Sequence, residues 1–538
     1  MVRFIKTLVD IPEDKGIHIK SAGVKGEKYV YKYVKYFRNA NGEPRNKAKA
    51  IGKIDIESGK MLPNKYYFET YNVESSFANI TSWDYGYSYT VLKICRDIGL
   101  LDCLSAAFGD GAAMDIIVMA AYIIREGNAM DGIDDWLQRN YFKEYDRLLC
   151  SQSTSKIFAS LTSGKRDAFF TEWVKRQTKV CALGKETVCY DVTSISSYSD
   201  NIPSVERGYN RDGENLSQFN LGMFCNERTK IPLYYNRYNG SLTDKTNLSH
   251  VLANAKEVGI ERVKMVLDGG FWSEECLCSL KDFCCAFTLG MPLYLKESEK
   301  ILAAHGQGIE KYVNELSKHH IYCVPVHTQV CGIPGRVLLY YDPQNHLNQC
   351  AQLSSYINRL KEELKTLKRY PKGKRSRYTP YFVLTKHEQD SGFDYHVDEQ
   401  KVESIRKLKG FFLIFSTDME SSAQDILEYY RAKDADEKIF AQIKAHMDGN
   451  RIRTHNEQTT DGKTFVTFIA CVIRAYFQNR LSQYLHDYST SMKKVFNQLS
   501  NISVISSNGC FRFNKALTKT QKLILSALDA SQDIGTSI

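Results

Sequence analysis

The order of strands and helices between Thr187 and Met291 constrains the fold more than any other feature of the sequence. Apolar and alternating segments of strand length, separated by turn residues, predict three consecutive antiparallel strands. Helical and strand patterns then alternate. The predicted strands are Val188–Ile195, Gln218–Cys225, Ile231–Tyr238, Val263–Leu267 and Ala286–Met291, and the predicted helices are Thr246–Val258 and Ser273–Lys281. This βββαβαβ order indicates a mixed α/β sheet.

The next hundred residues break this rhythm. Residues from about Leu293 to Lys409 mix short strand patterns with a charged helix near Tyr356–Leu367. Phe411–Phe415 then predicts one more buried strand, and a long helix starts near Ser421. We therefore interpret residues 293–409 as an insertion into a single α/β core.

The first seventy residues have a different pattern. Lys28–Arg38 nearly alternates Lys with Tyr and Val, and Asn41-Gly42 predicts a hairpin turn after it. One face of this ribbon would be basic and aromatic, which suits DNA phosphates and stacked bases. A solvated lysine face on a half-buried strand explains the same pattern equally well.

Helical periodicity dominates from Ser82 to about Gln177, and Met114–Glu126 is its most apolar part. The patterns together divide the chain into six segments. These are a β-rich N-terminal segment with a candidate DNA-binding face (1–75), a helical module (76–182), the first part of the α/β core (183–292), the insertion (293–409), the second part of the core (410–490) and a C-terminal tail (491–538).

Composition narrows the class of protein. No apolar run approaches the roughly 18 residues of a membrane helix, and the first residues lack a secretion signal, so we expect a cytoplasmic protein without membrane contact. The 15 cysteines do not form paired Cys-x2-Cys motifs, which disfavours a zinc site. No Walker A pattern indicates ATP use. The net charge of +10 leans towards a polyanionic partner.

Two aspartates end or interrupt apolar strands. Asp191 follows Cys189-Tyr190 in the first strand, and Asp268 follows Met265-Val266-Leu267 in the fourth. A carboxylate in such a setting is costly to bury unless it is paired or binds a metal. For either residue alone, a cap on the following turn and a functional acid are equally good explanations.

A third group of candidates lies on the helix predicted over Ala423–Ala445. Tyr430, Lys433, Glu437 and Lys444 are spaced so that, at about 100° per residue, they fall within roughly 60° of one another. An exposed helix face with ordinary ion pairs is the alternative explanation. The apolar neighbours Ile439 and Phe440 favour a position at the edge of the core.

Three carboxylates, Asp191, Asp268 and Glu437, would suffice to hold two divalent cations roughly 4 Å apart. Oxygen ligands select Mg²⁺ or Mn²⁺ over zinc. Such a pair activates a water or a 3′-hydroxyl and stabilises the leaving oxygen of a phosphodiester. Tyr430, Lys433 and Lys444 would then contact the DNA.

At these residues the chain resembles the DDE transposases of bacterial insertion sequences, in particular the insertion-sequence-four-like group. That group carries Tyr-x2-Arg-x3-Glu-x6-Lys, and this chain has Tyr430-x2-Lys433-x3-Glu437-x6-Lys444 with Lys in place of Arg. Lys is a point charge and Arg a bidentate fork, so the departure affects how a phosphate is held. Other similar pieces are Tyr190–Thr193, Gly208–Asp212, Gln218–Gly222, Gly240 with Asp244, and Asp268–Phe271.

The resemblance implies an RNase H-like core interrupted by a mainly β insertion, and cut-and-paste movement of an insertion sequence. It also implies double-stranded DNA with terminal inverted repeats, target DNA and a homodimer in the DNA complex as partners, in a nucleoid-associated bacterial protein. A transposase relic that binds DNA without cutting it is the main alternative. A phosphatase with an Asp191 nucleophile is disfavoured, because Thr193 stands where its second acid belongs.

Overall fold

The computed structural model describes residues 8–22, 27–39, 41–56, 58–71, 81–181, 187–387, 391–507, 510–531 and 534. Within these ranges, the side chains of residues 22, 65, 68, 69, 81, 179–181, 434–438, 506, 507, 510 and 511 are not described. The described residues fall into two units. One lies within Met1–Thr90, Asp135–Glu144 and Tyr484–Ile538, and the other within Val91–Asp134 and Tyr145–Gln483.

The strands are β1 (Ile17–Ala22), β2 (Glu27–Arg38), β3 (Pro44–Ile54), β4 (Met61–Pro63), β5 (Thr81–Asp84), β6 (Thr187–Ser196), β7 (Gln218–Asn226), β8 (Pro232–Asn239), β9 (Lys264–Leu267), β10 (Ala286–Met291), β11 (Glu315–Leu316), β12 (Ile321–Val330), β13 (Ile333–Tyr341), β14 (Phe382–Lys386), β15 (Phe393–Val397), β16 (Phe411–Ser416), β17 (Ser503–Ser507) and β18 (Cys510–Phe513).

The helices are α1 (Lys65–Thr70), α2 (Gly86–Asp97), α3 (Leu100–Phe108), α4 (Asp110–Glu126), α5 (Ile133–Arg139), α6 (Ser151–Ser160), α7 (Ser163–Cys181), α8 (Asp244–Glu257), α9 (Glu274–Phe283), α10 (Lys296–His305), α11 (Pro343–Thr366), α12 (Arg375–Tyr378), α13 (Glu399–Leu408), α14 (Ala423–Ala432), α15 (Asp434–His446), α16 (Glu457–Asp487), α17 (Met492–Ser500) and α18 (Lys519–Ala527).

A mixed sheet organises the second unit. Among the described residues it has nine strands in the order β11-β12-β13-β16-β10-β9-β6-β7-β8. β6, β7 and β8 pair antiparallel, β9 pairs parallel with both β6 and β10, and β16 pairs antiparallel with β10 and β13. All the core strands predicted from the sequence are confirmed. β7 is buried along its whole length, including its polar residues Gln218, Asn220 and Asn226.

The prediction of a mainly β insertion is wrong. The longest element between residues 293 and 409 is the 24-residue helix α11. Its buried residues Leu353, Ile357, Leu360 and Leu364 recur every three or four positions, which is the spacing of one helix face. The strands β11, β12 and β13 do not form a separate subdomain, because they extend the central sheet beyond β16.

The single helix predicted over Ala423–Ala445 is also wrong in one respect, because α14 and α15 meet at Lys433. Lys433 keeps right-handed helical angles (φ −57°, ψ −25°). The ammonium of Lys230 donates to the carbonyl oxygen of Ala432 over 3.3 Å and satisfies an acceptor at the junction. The two helices contact different strands: α14 lies on β9 and β10, and α15 on β6.

Helices α2 to α7 confirm the predicted helical region. α4 is buried from Asp115 to Ile124, as its apolar sequence predicted. Asp115 is a charged residue within this buried apolar segment. It accepts a hydrogen bond from the hydroxyl of Tyr145 over 2.8 Å and pairs with Arg147. Buried carboxylates require such partners. None of the helices in the described part of the chain is long and apolar enough to cross a membrane.

The first unit contains two small antiparallel sheets. β1, β2, β3 and β4 form the first, whose core is Val30, Ile51 and Met61. The predicted turn at Asn41-Gly42 joins β2 to β3, with Gly42 at φ 77°, a left-handed conformation that favours glycine. β17 pairs with β18 and with β5, so residues near the C-terminus form a sheet with Thr81–Asp84.

Burial of Lys463 generates a pH-dependent prediction. This lysine of α16 is 2% exposed, and its ammonium donates to the carbonyl oxygen of Arg453 over 3.2 Å. Burial, aided by the charge of Arg453, lowers the pKa of Lys463 to about 7. Below pH 7 the lysine is charged in both the folded and unfolded states, so the full cost of burying the charge opposes folding. As the pH rises from 7 towards 10, that cost disappears.

Lys463→Met should therefore raise the melting temperature most at pH 6 and progressively less towards pH 9. The change corresponds to up to about 4 kcal/mol in the free energy of unfolding. Melting followed by intrinsic fluorescence at several pH values measures it, with the exposed Lys300→Met as the control. An equal effect of Lys463→Met at pH 6 and pH 9 would contradict a lowered pKa.

Candidate active site

Parallel pairing of β6 with β9 brings Asp191 and Asp268 together. Thr187 lies opposite Lys264, and Cys189 lies opposite Val266. Asp268 continues the extended backbone of β9 (φ −77°, ψ 158°), so the same register continued by two residues sets Asp191 level with Asp268. Adjacent strands are about 4.8 Å apart, and residues at the same level of a parallel pair project from the same face.

Two residues of the predicted stripe contact Asp268. The hydroxyl of Tyr430 donates to Asp268 Oδ1 over 3.2 Å, and Lys433 Nζ donates to the same oxygen over 3.0 Å. Burial raises the pKa of Asp268, but the charge and hydrogen bond of Lys433, the Gly269 N–H and the Tyr430 hydroxyl together lower it below its ordinary value. Asp268 is therefore a carboxylate at neutral pH.

A glycine in β10 makes room for Tyr430. A Cβ atom on Gly290 would overlap the Tyr430 hydroxyl and would lie 3.0 Å from the amide nitrogen of Gly269. Glycine within a strand often marks such a close approach. A cavity of about 360 Å³ opens here, lined in part by Asp268, Gly290 and Tyr430.

The neighbouring cation Arg431 points elsewhere. Its guanidinium pairs with Asp342, the N-cap residue of α11, over 3.2 Å. Lys433 also lies over the Tyr430 ring, 5.3 Å from its centroid. Lys433, and not Arg431, is thus the basic residue beside Asp268.

Asp191 is half-buried on β6, where its Oδ1 accepts a hydrogen bond from the amide of Val192 over 2.8 Å. Arg211 lies near it, pairs with Asp244 and donates to Ser194 Oγ over 3.1 Å. Burial lowers the pKa of Arg211, but Asp244, with smaller contributions that include Asp191, raises it above its ordinary value. A permanent positive charge therefore stands close to the first acid.

The remaining stripe residues lie on α15. Lys444 Nζ contacts both carboxylate oxygens of Asp212, at 2.7 and 2.5 Å. The Glu437 side chain lies outside the described residues, so its place in the site remains a prediction. The helix that carries Glu437 packs against β6, the strand of Asp191. Tyr430 and Lys433 thus reach Asp268, whereas Lys444 reaches Asp212.

Asp418, which follows β16, shows what a purely structural strand-end acid looks like. It accepts hydrogen bonds from the amides of Glu420 and Ser421, from the Ser421 hydroxyl and from Lys264 at 2.8 Å. Burial raises the pKa of Asp418, but these partners together lower it to about 2. Asp268 differs from Asp418 because it is half exposed. Its side-chain hydrogen bonds come from Tyr430 in α14 and from Lys433 at the C-terminal end of that helix.

The described acids suit a hard divalent cation. Asp268 already binds the ammonium cation of Lys433, and carboxylate oxygens are the ligands that hard divalent cations prefer. Among the described side chains, no cluster of three or more His, Cys, Asp or Glu residues is close enough to hold a metal ion.

Three contributors to this site were missed by the sequence reasoning: Asp212 as the partner of Lys444, Asp342 as the partner of Arg431, and Gly290 as the space for Tyr430. Glycine inside an apolar strand was the available signal for Gly290. No local pattern identifies the two aspartates, since their partners are more than 80 residues away.

Comparison with known proteins identifies the family. The family model described as Transposase DDE domain matches residues 182–473, more than half of the chain. The chain belongs to the DDE transposase family. The match spans Asp191, Asp268 and the stripe on α14 and α15. The large mixed sheet of this DDE transposase is compatible with an RNase H-like core.

Two further comparisons add little. The search of curated proteins found no match. The DDE transposase chain is similar to a chain in the cryo-EM structure of the piggyBac transposase synaptic complex with hairpin DNA. The TM-score is 0.33 at 10% identity, and the alignment covers 72% of this chain and 69% of the other.

The close approach at Gly290 predicts coupling with Tyr430. Gly290→Ala should destabilise the protein by about 1–3 kcal/mol, because the added methyl displaces the Tyr430 hydroxyl. In a Tyr430→Phe background the hydroxyl is absent, so the cost should be smaller. Thermal melting of the two single variants and the double variant gives the coupling energy. Gly164→Ala, where a Cβ meets nothing within 4 Å, is the control. Equal costs in both backgrounds would show that the hydroxyl does not depend on Gly290.

Proposed function

We propose that this DDE transposase binds the ends of its insertion sequence and catalyses phosphodiester cleavage and strand transfer in a cut-and-paste reaction. We further propose membership of the insertion-sequence-four-like group, with Lys433 in the position of the signature Arg. The observation that supports the proposal is the pair of hydrogen bonds from Tyr430 and Lys433 to Asp268, next to a parallel pairing of β6 with β9 whose last pair lies two residues before Asp191 and Asp268. An ordinary exposed helix face would not direct two residues at a strand-end acid.

Asp191, Asp268 and Glu437 would hold Mg²⁺ or Mn²⁺, two ions in our proposal. Bound there, the ions would lower the pKa of a water or a 3′-hydroxyl and stabilise the leaving oxygen. The low pKa of Asp268 keeps its carboxylate available to a cation at neutral pH. Tyr430, with its hydroxyl held between Gly290 and Asp268, orients that carboxylate.

Lys433 has two roles in this proposal. Without DNA it neutralises Asp268. With a cation held by the acids, the Lys433 ammonium would be available to a DNA phosphate beside the site. Lys444 would contact the DNA farther along α15, where Asp212 now holds it. The partners are then terminal inverted repeats and target DNA, bound by a homodimer.

The acids provide the direct test. Asp191→Asn, Asp268→Asn and Glu437→Gln should each lower cleavage of end DNA roughly 10³-fold or more, because an amide binds a hard cation poorly. DNA binding should persist, since phosphate contacts remain. Cleavage and gel-shift assays on DNA from the flanks of the gene measure both properties, and the exposed Asp282→Asn is the control. Mg²⁺ or Mn²⁺ should support cleavage, and Zn²⁺ should not.

Full cleavage by any of the three variants would remove that residue from the proposed triad. Specific binding without cleavage by the wild-type chain, under all divalent ions, would favour the silent relic.

The basic residue beside Asp268 provides a second test. Lys433→Ala should lower cleavage about 10- to 150-fold, the value of one charge-assisted contact, and Lys433→Arg should be tolerated. Loss of the positive charge raises the pKa of Asp268, so the acid limb of the pH–rate profile should move to higher pH in Lys433→Ala. Arg431→Ala should leave both properties unchanged, because Arg431 pairs with Asp342. The reverse result would make Arg431 the signature residue.

A further inference from the structure

The positive charge of the chain is concentrated at its N-terminal end. Residues 1–71 contain fifteen Lys and Arg against eight Asp and Glu, a net +7 of the +10 that all 538 residues carry. Such a concentration is the electrostatic signature of a polyanion-binding surface. The proposed active site accounts for none of it.

Within this region the hairpin of β2 and β3 extends beyond its own sheet. From Val34 to Lys47, a segment that we call the arm, every described residue but one is exposed. The exception is the half-buried Asn39 beside the turn. Tyr36 is 69% exposed, and Phe37 and Val34 are each 46% exposed. An isolated two-stranded ribbon is marginally stable in water, so large exposed side chains on it require a reason.

Like charges lie opposite each other on one face of the arm. The register shifts between Tyr33 and Lys35, after which Lys35 lies opposite Lys47 and Phe37 lies opposite Arg45. Like charges directly opposite each other destabilise an antiparallel pair. In the described part of the chain, no carboxylate pairs with Lys35 or Lys47, and Arg45 has only the exposed Glu43 at 3.2 Å.

Two lysines nearer the sheet show the contrast. Lys32 pairs with Asp14 over 3.0 Å and lies 4.0 Å from the centroid of the Tyr71 ring. Lys49 lies 4.3 Å from the centroid of the Tyr66 ring. Their charges are used within the fold, whereas the charges of Lys35 and Lys47 face solvent.

We propose that the arm inserts into the major groove of double-stranded DNA, with Lys35 and Lys47 on the flanking phosphates and Phe37 and Arg45 towards the base edges. The major groove of B-DNA is about 12 Å wide and admits a two-stranded β-ribbon. The deep, narrow major groove of A-form RNA does not. This inference rests on the proposed function for the identity of the DNA, and it assigns DNA contact to a part of the chain outside the matched family region.

The test uses the full chain and a duplex from the end of the element. In Lys35→Gln/Lys47→Gln, two phosphate contacts are lost. The slope of log affinity against log salt should therefore become shallower by about 1.8, and affinity at low salt should fall roughly tenfold or more. Fluorescence anisotropy measures both. Lys256→Gln/Lys300→Gln removes the same charge from exposed helix positions and should leave both values unchanged.

Chemical footprinting identifies the groove. Bound wild-type protein should protect guanine N7, which faces the major groove, from dimethyl sulfate, and the arm variant should lose that protection. A Phe37→Ala variant should lose discrimination between end DNA and unrelated duplex while keeping its salt slope.

Unchanged affinity and unchanged protection in Lys35→Gln/Lys47→Gln would overturn the proposal. So would equal competition by an RNA duplex, or loss of self-association with DNA binding intact, which would make a second copy of the chain the occupant. The Asp268→Asn variant distinguishes failure of the arm proposal from failure of the proposed function. If Asp268→Asn still cleaves, the active-site proposal fails, and the arm is judged by binding alone.

Discussion

The candidate active site depends on the parallel pairing of β6 with β9. These strands are 77 residues apart in register, and the same register continued two residues beyond its last pair would set Asp191 level with Asp268. A shift of one residue would send one carboxylate to the opposite face of the sheet, because side chains alternate along a strand. Burial of β6 and β9 on both faces opposes such a shift. The same apolar residues that stabilise the sheet therefore position its acids.

Three basic side chains around the site each bind a different carboxylate. Lys433 neutralises Asp268, Arg211 stands near Asp191 within a network that includes Asp244, and Lys444 binds Asp212. Each pair is partly exposed, so its contribution to stability is small. The pairs instead hold charged groups at defined places.

The residues of the stripe on α14 and α15 reach two different places. Tyr430 and Lys433 end α14 above β9 and β10, whereas Lys444 lies on α15 above β6. Gly290 is the matching adaptation of the sheet, because any larger residue there would exclude the Tyr430 hydroxyl. Tyr430 of α14 and Gly290 of β10 thus fit each other beside Asp268.

Local sequence determined the elements of this protein. Apolar runs predicted β6 to β10 and β16, and the spacing of Tyr430, Lys433 and Lys444 predicted a helical stripe, because strand and helix periods are local properties of the chain. Arg431 and Lys433 lie two residues apart and contact Asp342 and Asp268 respectively.

Only the tertiary structure decided which elements meet. The sequence patterns are the same whether β9 pairs with β6 or with another strand, and the helix period runs through Lys433 without a sign of the break. That break coincides with contacts from Lys230 to Ala432 and from Lys433 to Asp268, whose partners are more than 150 residues away. The mixed insertion was misjudged for the same reason, since β11 to β13 join a sheet begun far upstream. Pairing over such distances depends on the packing of the whole core and not on any local pattern.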